Sequence, residues 1–238
     1  MKLKAFCISL PNRADRRKAL DEAWDASGLA AIFDLEFIPG VQISPNIQGP
    51  QRVALCDLAC AASHRRAIAM AAAEDAEGVL VLEDDAVPVN SRQLHDFLFK
   101  TLAKAPHWNT VNLGGCRANW RPATPALRVF PHDCGELFTV KGMVTTHAIL
   151  YHRNVFDDVL VSVPCETEIA SGIVPQTFRP YDQWLASHGT MLTGCRPYFV
   201  QSGSSSDILG MPHGQDIAAL IQDTYARIRS SCQVAPMA

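Results

Sequence analysis

The chain has 238 residues, 48% hydrophobic and 19% charged, with a formal net charge of −3. That length and apolar fraction support a full core without disulfide or metal staples, and exclude disorder and low-complexity architecture. The slightly acidic balance lacks the basic footprint of a nucleic-acid binder.

Residues 4–10 are short, apolar and closed by Pro11, which predicts a buried first strand and no signal peptide. Residues 15–27 are rich in helix formers, place Leu20, Ala23, Trp24 and Ser27 along one stripe, and stop at Gly28. Residues 35–38, ended by Pro39 and Gly40, predict a second strand, and a polar loop containing proline follows to about Arg52. Residues 56–75 carry the clearest helix signal, an alanine-rich body in which Ala59, Ala62, Ala69 and Ala73 permit close packing. Gly78 then opens the apolar run Val79, Leu80, Val81 and Leu82, whose polar end is Glu83, Asp84 and Asp85. This alternation of strand and helix predicts an α/β sheet with parallel strands. Residues 90–104 read as a helix capped by Asn90 or Ser91, and residues 110–113 as a strand before Gly114 and Gly115.

Beyond that point the rhythm breaks. Strands are predicted at 127–130, 137–140, 146–151 and 198–200, and helices at 153–161, 182–187 and 216–228. Residues 164–180 hold several prolines without periodicity, as a functional loop does. Neither a repeat nor a linker divides the chain, and no apolar run approaches the ~20 residues that span a bilayer. The eight cysteines are scattered, with no Cys-x-x-Cys pair, and read as mostly reduced, buried thiols of a cytoplasmic protein.

Glu83, Asp84 and Asp85 are the most informative cluster. In α/β sheets, ligands bind beyond the carboxyl ends of parallel strands. Three carboxylates delivered there are costly unless a cation balances them. Mg²⁺ or Mn²⁺ suits such oxygen ligands and shares them with substrate phosphates. The same residues also read as a solvated acidic turn before Pro88. Asn12, Arg13, Asp15, Arg16 and Arg17 follow the first strand. Arginines beside a helix N-terminus suit a diphosphate or a nucleotide, while the commoner fate of such a run is a solvated first turn. His64, beside Ser63 in the alanine-rich helix, reads first as a hydrogen-bonded core residue. Asp182 follows the long loop, either as the N-cap of a helix beginning at Gln183 or as a general base aimed at a cleft. His147 can face either side of its strand, and His213 is a loop-borne candidate metal ligand.

Taken in order, these segments resemble the family 25 glycosyltransferases, which include bacterial lipooligosaccharide and collagen galactosyltransferases. Residues 8–17 resemble the family's I-x-L-x-x-R-x-x-R opening, and residues 56–64 its G-C-x-x-S-H helix, with Ala59 where the family has glycine. Leu80, Val81 and Leu82 with Glu83, Asp84 and Asp85 are similar to its apolar run and E-D-D. Tyr181 and Asp182 match its downstream aspartate, residues 146–151 its small-residue apolar strand, and residues 197–201 with Ser206, Asp207 and Ile208 its C-terminal motif. Residues 114–145 match nothing in it.

The resemblance implies a single domain of GT-A glycosyltransferase fold, α/β, with a Rossmann-like nucleotide-binding half merged with a mixed-sheet acceptor half. Residues 1–113 would form the first half, 114–215 the second, and 216–238 a C-terminal helix and tail. It implies an inverting transfer of galactose or glucose from a UDP-sugar to a saccharide or glycolipid, in lipopolysaccharide or surface glycan synthesis. It also implies Mn²⁺ or Mg²⁺. Without a run long enough to span a bilayer, the expected location is cytoplasmic, either in solution or in loose peripheral association with the inner face of a membrane. Carried onto this chain, Leu10, Asn12, Arg13, Arg16, Ser63, His64, Glu83 and Asp84 bind the donor. Glu83, Asp85 and His213 hold the metal, and Asp182 is the base. Two other classes draw on the same residues: a metal-dependent phosphoester hydrolase, and a non-catalytic nucleotide-sugar or carbohydrate binder. The released product separates transferase from hydrolase, and the intact acidic positions argue against the binder.

Overall fold

The computed structural model describes residues 3–43, 50–105, 107–117, 126–133, 136–170, 180–202 and 217–232. The first part of the chain forms β1 (Leu3–Ser9), α1 (Ala14–Ser27), β2 (Phe33–Pro39), α2 (Pro50–Ala73), β3 (Gly78–Glu83), β4 (Ala86–Pro88), α3 (Ser91–Asp96) and β5 (Thr110–Asn112). Then follow β6 (Cys116–Arg117), β7 (Arg128–Pro131), β8 (Leu137–Lys141), β9 (Met143–Val144), β10 (Ala148–His152) and α4 (Phe156–Ser162). The remainder is α5 (Glu166–Ala170), α6 (Tyr181–Ser187), β11 (Met191–Gly194), β12 (Phe199–Gln201) and α7 (Ile217–Cys232).

Eight strands form one sheet in the order β2-β1-β3-β10-β5-β11-β8-β7. The β2, β1 and β3 strands are parallel, and β10 enters antiparallel between β3 and β5. The far side is mixed, with β11 parallel to β5 and β8 antiparallel to β11. A parallel half built on β-α-β units is thus merged with a mixed half, which is the α/β division expected for a GT-A architecture. The carboxyl ends of β1, β3 and β5 and the amino end of β10 therefore share one edge.

The sheet is covered on both faces, which is why β3 reads as an unbroken apolar run. Val79 and Val81 enter one core with Ala61, Ala67, Ile68 and Ala71 of α2 and with Ile221, Tyr225 and Ile228 of α7. Leu80 and Leu82 enter the other core with Leu20 and Trp24 of α1 and Leu94 beyond β4. The side chains of Val79, Leu80, Val81 and Leu82 are fully buried, each worth about 1.5–3 kcal/mol of burial. The Trp24 ring sits 5.8 Å from that of Phe33, and Gly28 ends α1 at φ 74°, where a side chain would be strained. Among the described residues no helix is long and apolar enough to cross a membrane.

Several local expectations are revised. The α2 helix begins at Pro50, inside the stretch read as a loop, because proline's missing N–H costs nothing in a first helical turn. Of its alanines expected to pack closely, Ala59 and Ala62 are buried, Ala69 is half-buried and Ala73 is exposed, while Ala61, Ala67 and Ala71 are buried as well. Residues 91–104 are helical, but α3 gives way to a π-type turn at Phe97–Thr101 and a 3-10 turn at Leu102–Lys104. Asn90 holds the N-cap position without a capping bond, since its side-chain amide donates to Pro197 O at 2.7 Å. Pro180, not Asp182, is the residue at the N-cap of α6, and Asp182 lies in that helix's first turn. The strands β4, β6, β9 and β11 were not foreseen; at two to four residues each they are too short to show a period. Most of the 164–180 loop, the Ser206-Asp207-Ile208 motif and His213 lie outside the described residues.

Candidate active site

The shared carboxyl edge collects the polar groups. Register sets Ile8 of β1 opposite Glu83 of β3, so Ser9 and Asp84 meet one step further on. Ser9 Oγ donates to Asp84 Oδ2 at 2.7 Å, and Arg16 Nη1, from the first turn of α1, donates to Asp84 Oδ1 at 2.9 Å. Both members of that ion pair are about nine-tenths buried, with side-chain exposures of 10% and 8%. Arg17 ties down the β1–α1 turn by donating to Ser9 Oγ at 3.1 Å, Leu10 O at 2.6 Å and Pro11 O at 3.0 Å. Arg13 pairs with Asp15 at 3.3 Å, Leu10 is half-buried, and Asn12 is exposed beside them.

Asp85 is held differently. The β4–β12 pairing places Gln201 opposite Ala86, and Gln201 Nε2 donates to Asp85 Oδ2 at 2.8 Å. The other oxygen, Asp85 Oδ1, is buried and has no hydrogen-bond partner among the described residues. Burial, followed by the charge of Glu83, pushes the Asp85 carboxyl up to about 7. Gln201 and the charge of Arg16 offset this only in part, whereas Arg16 bonds Asp84 directly.

Glu83 faces the other core. Its Oε1 accepts from Thr146 Oγ1 at 2.5 Å and from Cys60 Sγ at 3.8 Å, and lies 3.7 Å from His64 Nε2. The last separation is too long for a hydrogen bond. Burial pushes the Glu83 carboxyl up, but His64 and Thr146 together outweigh it and hold the group below its usual range. His64 is fully buried, its Nδ1 3.0 Å from Tyr151 Oη, which is in turn 3.1 Å from Tyr181 Oη. Ser63 Oγ donates to Ala59 O at 2.7 Å and accepts from Val41 N at 2.8 Å, so its hydroxyl ties the segment after β2 to α2. Asp182 lies close enough that its charge acts on the Cys60 thiol.

The turn into β10 completes the edge. Thr145 adopts φ 72°, a costly conformation for a β-branched residue, worth about 1–3 kcal/mol of strain. Asn112 Nδ2 donates to Thr145 O at 3.1 Å, and Gly114 N donates to Asn112 Oδ1 at 3.1 Å, so one buried amide braces both loops. Gly114 must be glycine, because a Cβ there would stand 2.2 Å from Phe199 O and 2.6 Å from His147 Nε2. His147 points inward, fully buried, with no hydrogen bond of good geometry at either ring nitrogen among the described residues. Burial takes its pKa down to about 4, so its ring is neutral near pH 7.

The structure thus brings Arg16, Glu83, Asp84, Asp85 and His64 together, and sets Asp182 near enough to Cys60 for its charge to act on that thiol. Sequence reasoning missed the polar groups that hold them. Ser9, Thr146 and Gln201 lay within quoted motifs, but their roles depend on register between strands distant in sequence. The Cys60 and His64 spacing of four residues on a helix was a readable signal.

No family model matches the chain, and no curated protein matches it. Solved structures similar to it include a glycosyltransferase involved in the glycosylation of the major capsid of PBCV-1, at 8% identity and TM-score 0.42, over 99% of this chain and 100% of that one. The mannose-1-phosphate geranyltransferase of Thermus thermophilus is similar at 14% identity and TM-score 0.43, over 81% of this chain and 73% of that one. The catalytic domain of Drosophila β1,4-galactosyltransferase 7, in complex with xylobiose, is similar at 10% identity and TM-score 0.39, over 94% of this chain and 81% of that one.

Proposed function

We propose that this chain is a metal-dependent inverting glycosyltransferase that moves a hexose, galactose or glucose, from a UDP-sugar to a hydroxyl of a saccharide or glycolipid acceptor. The reading places it in lipopolysaccharide or surface glycan synthesis, at the cytoplasmic face of a membrane. Residues 1–113 would serve the donor and residues 114–215 the acceptor.

The observation that carries the reading is the uneven compensation of the carboxylates at the end of β3. Asp84 has Arg16 and Ser9, whereas Asp85 is buried with one oxygen unpartnered. A divalent cation such as Mn²⁺ or Mg²⁺ supplies the missing positive charge, and the oxygen ligands Glu83 and Asp85 fit it. When bound with a nucleotide diphosphate, such an ion stabilises the charge that builds on the leaving group. Arg13 and Arg16, beside the start of α1, would face the uridine or the diphosphate. Leu10 and Asn12 would line the base and ribose, and Asp84, fixed by Arg16, would orient the ribose or the sugar. Ser63 and His64 would support the wall of that pocket. Asp182 would take the proton from the attacking acceptor hydroxyl as the anomeric bond to the diphosphate breaks.

Calorimetric titration with UDP, with and without Mn²⁺, tests this on wild type, Asp85→Asn and Asp182→Asn. The wild type should bind UDP much more tightly with Mn²⁺, and Asp85→Asn should lose the metal-dependent part. Asp182→Asn should keep UDP binding while transfer to an acceptor falls by about 10²–10⁴-fold. Absence of UDP binding under any metal overturns the reading. Release of phosphate from a generic ester without UDP binding points to the hydrolase.

A further inference from the structure

Cys60 and His64 stand one helical turn apart on α2, and both side chains reach toward Glu83 at the end of β3. Their ligating atoms and a Glu83 carboxylate oxygen all lie within 4.8 Å of one another. We propose that Cys60, His64 and Glu83 form a site for a borderline-soft divalent cation of the Zn²⁺ class, distinct from the hard-cation role assigned to Glu83 with Asp85.

The spacing is informative. Ligands at about 2.0–2.3 Å from one ion in tetrahedral geometry are separated from each other by about 3.3–3.8 Å. Here Glu83 Oε1 is 3.8 Å from Cys60 Sγ and 3.7 Å from His64 Nε2. Those are close to the edges of a ligand tetrahedron; the first is a weak thiol hydrogen bond that metal binding would replace, and the second is too long for the hydrogen bond that burial would otherwise demand. His64 Nε2 is buried with no hydrogen-bond partner among the described residues, and its imidazole is fully buried, so a polar atom is left aimed at the cluster.

The surroundings suit metal ligation as well. Nδ1 of His64 meets Tyr151 Oη at 3.0 Å, and Tyr151 Oη meets Tyr181 Oη at 3.1 Å. With the proton on Nδ1 donated to Tyr151, and the Tyr151 hydroxyl donated onward to Tyr181, the Nε2 lone pair is the one presented to a cation. This is the tautomer a histidine ligand needs, fixed by a partner behind it. Thr146 Oγ1 donates to Glu83 Oε1 at 2.5 Å and orients the carboxylate in the same way. The donor set is one thiolate, one imidazole and one carboxylate, which selects Zn²⁺ over Mg²⁺ or Mn²⁺. Three protein ligands leave one position open. Binding converts the Cys60 thiol to a thiolate and releases one proton to the buffer, with no change in oxidation state. On the glycosyltransferase reading, Zn²⁺ here takes Glu83 from the hard-cation set and so suppresses Mn²⁺-dependent UDP binding; the site itself does not depend on that reading.

The test uses the full chain freed of metal by chelator and titrated with Zn²⁺ against a chromophoric competitor, without nucleotide. Co²⁺ serves as a spectroscopic substitute for Zn²⁺. The expected result is one Zn²⁺ per chain at micromolar or tighter affinity, with a sulfur-to-cobalt charge-transfer band in the Co²⁺ adduct. Cys60→Ser, a near-isosteric change at a half-buried position, should keep the wild-type circular dichroism. It should lose the band and weaken Zn²⁺ at least about tenfold. Glu83→Gln should weaken Zn²⁺ while keeping the band, which serves as the control if Cys60→Ser folds poorly. No Zn²⁺ binding by the wild type overturns the proposal, as does a charge-transfer band that survives in folded Cys60→Ser. A failed UDP titration of the Zn²⁺-free chain with Mn²⁺, beside intact Zn²⁺ binding in the separate titration, would sink the transferase reading alone.

Discussion

Asp84 and Asp85 are neighbours in the chain and opposites in their surroundings. Asp84 turns toward β1 and α1, where Ser9 and Arg16 occupy its two oxygens. Asp85 turns toward β12, where Gln201 occupies one oxygen and the other is buried without a partner. The β1–α1 side is therefore a finished ion pair, and the β4–β12 side is a buried carboxyl that Gln201 and Arg16 compensate only in part. The difference teaches that an acidic cluster is not one object. One member fastens two β-α-β elements together, while the next is left in a state that a cation would relieve.

The largest effect that can break this comparison is on the finished side. Arg16→Met removes the cation from a carboxylate only 8% exposed, and breaking a buried pair by deleting one partner costs about 3–5 kcal/mol. Urea unfolding should show that loss for Arg16→Met. It should show a smaller loss for the Arg16→Met/Asp84→Asn double variant, because the stranded charge has gone and Ser9 can still bond the amide. Equal losses in the single and double variants would mean that Arg16 contributes packing and not charge compensation.

How much of this was legible in the sequence follows from the range of the interactions. The β3 run and the Glu83, Asp84, Asp85 terminus were readable because burial on both faces leaves an unbroken apolar signature. The α1 stripe through Leu20 and Trp24 was readable because helical period is local. The division of labour between Asp84 and Asp85 was not. It is decided by the parallel register of β1 on β3 and by the β4–β12 pairing, which bring Ser9 and Gln201 into place from 75 and 116 residues away. The two-residue strands β6 and β9 and the strained Thr145 turn were hidden for the same reason, since tertiary bonds hold them against weak local preference. Asp182 could be placed on a short helix but not at its cap, because Pro180 sets the preceding turn.

The finer test is the pH dependence of stability in metal-free buffer, where Asp85 and His147 act in opposite directions. The Asp85 carboxyl rises from 3.8 to about 7 in the fold, so the folded chain holds the extra proton between those values. The stability it contributes is present below pH 3.8 and is lost as pH climbs through 7. The His147 pKa falls from 6.5 to about 4, so there it is the unfolded chain that holds the extra proton. The stability contributed by its neutral ring is present above pH 6.5 and is lost as pH falls toward 4. Between pH 4 and 6.5 the two slopes oppose, each at most about 1.4 kcal/mol per pH unit, and the wild type should look flatter than either group alone would make it. Asp85→Asn should gain stability relative to wild type as pH rises across that window, and His147→Gln should gain it as pH falls. Parallel pH profiles for wild type and Asp85→Asn would mean that the Asp85 carboxylate is already compensated in the folded chain. The contrast with Asp84 would then lie in geometry and not in charge.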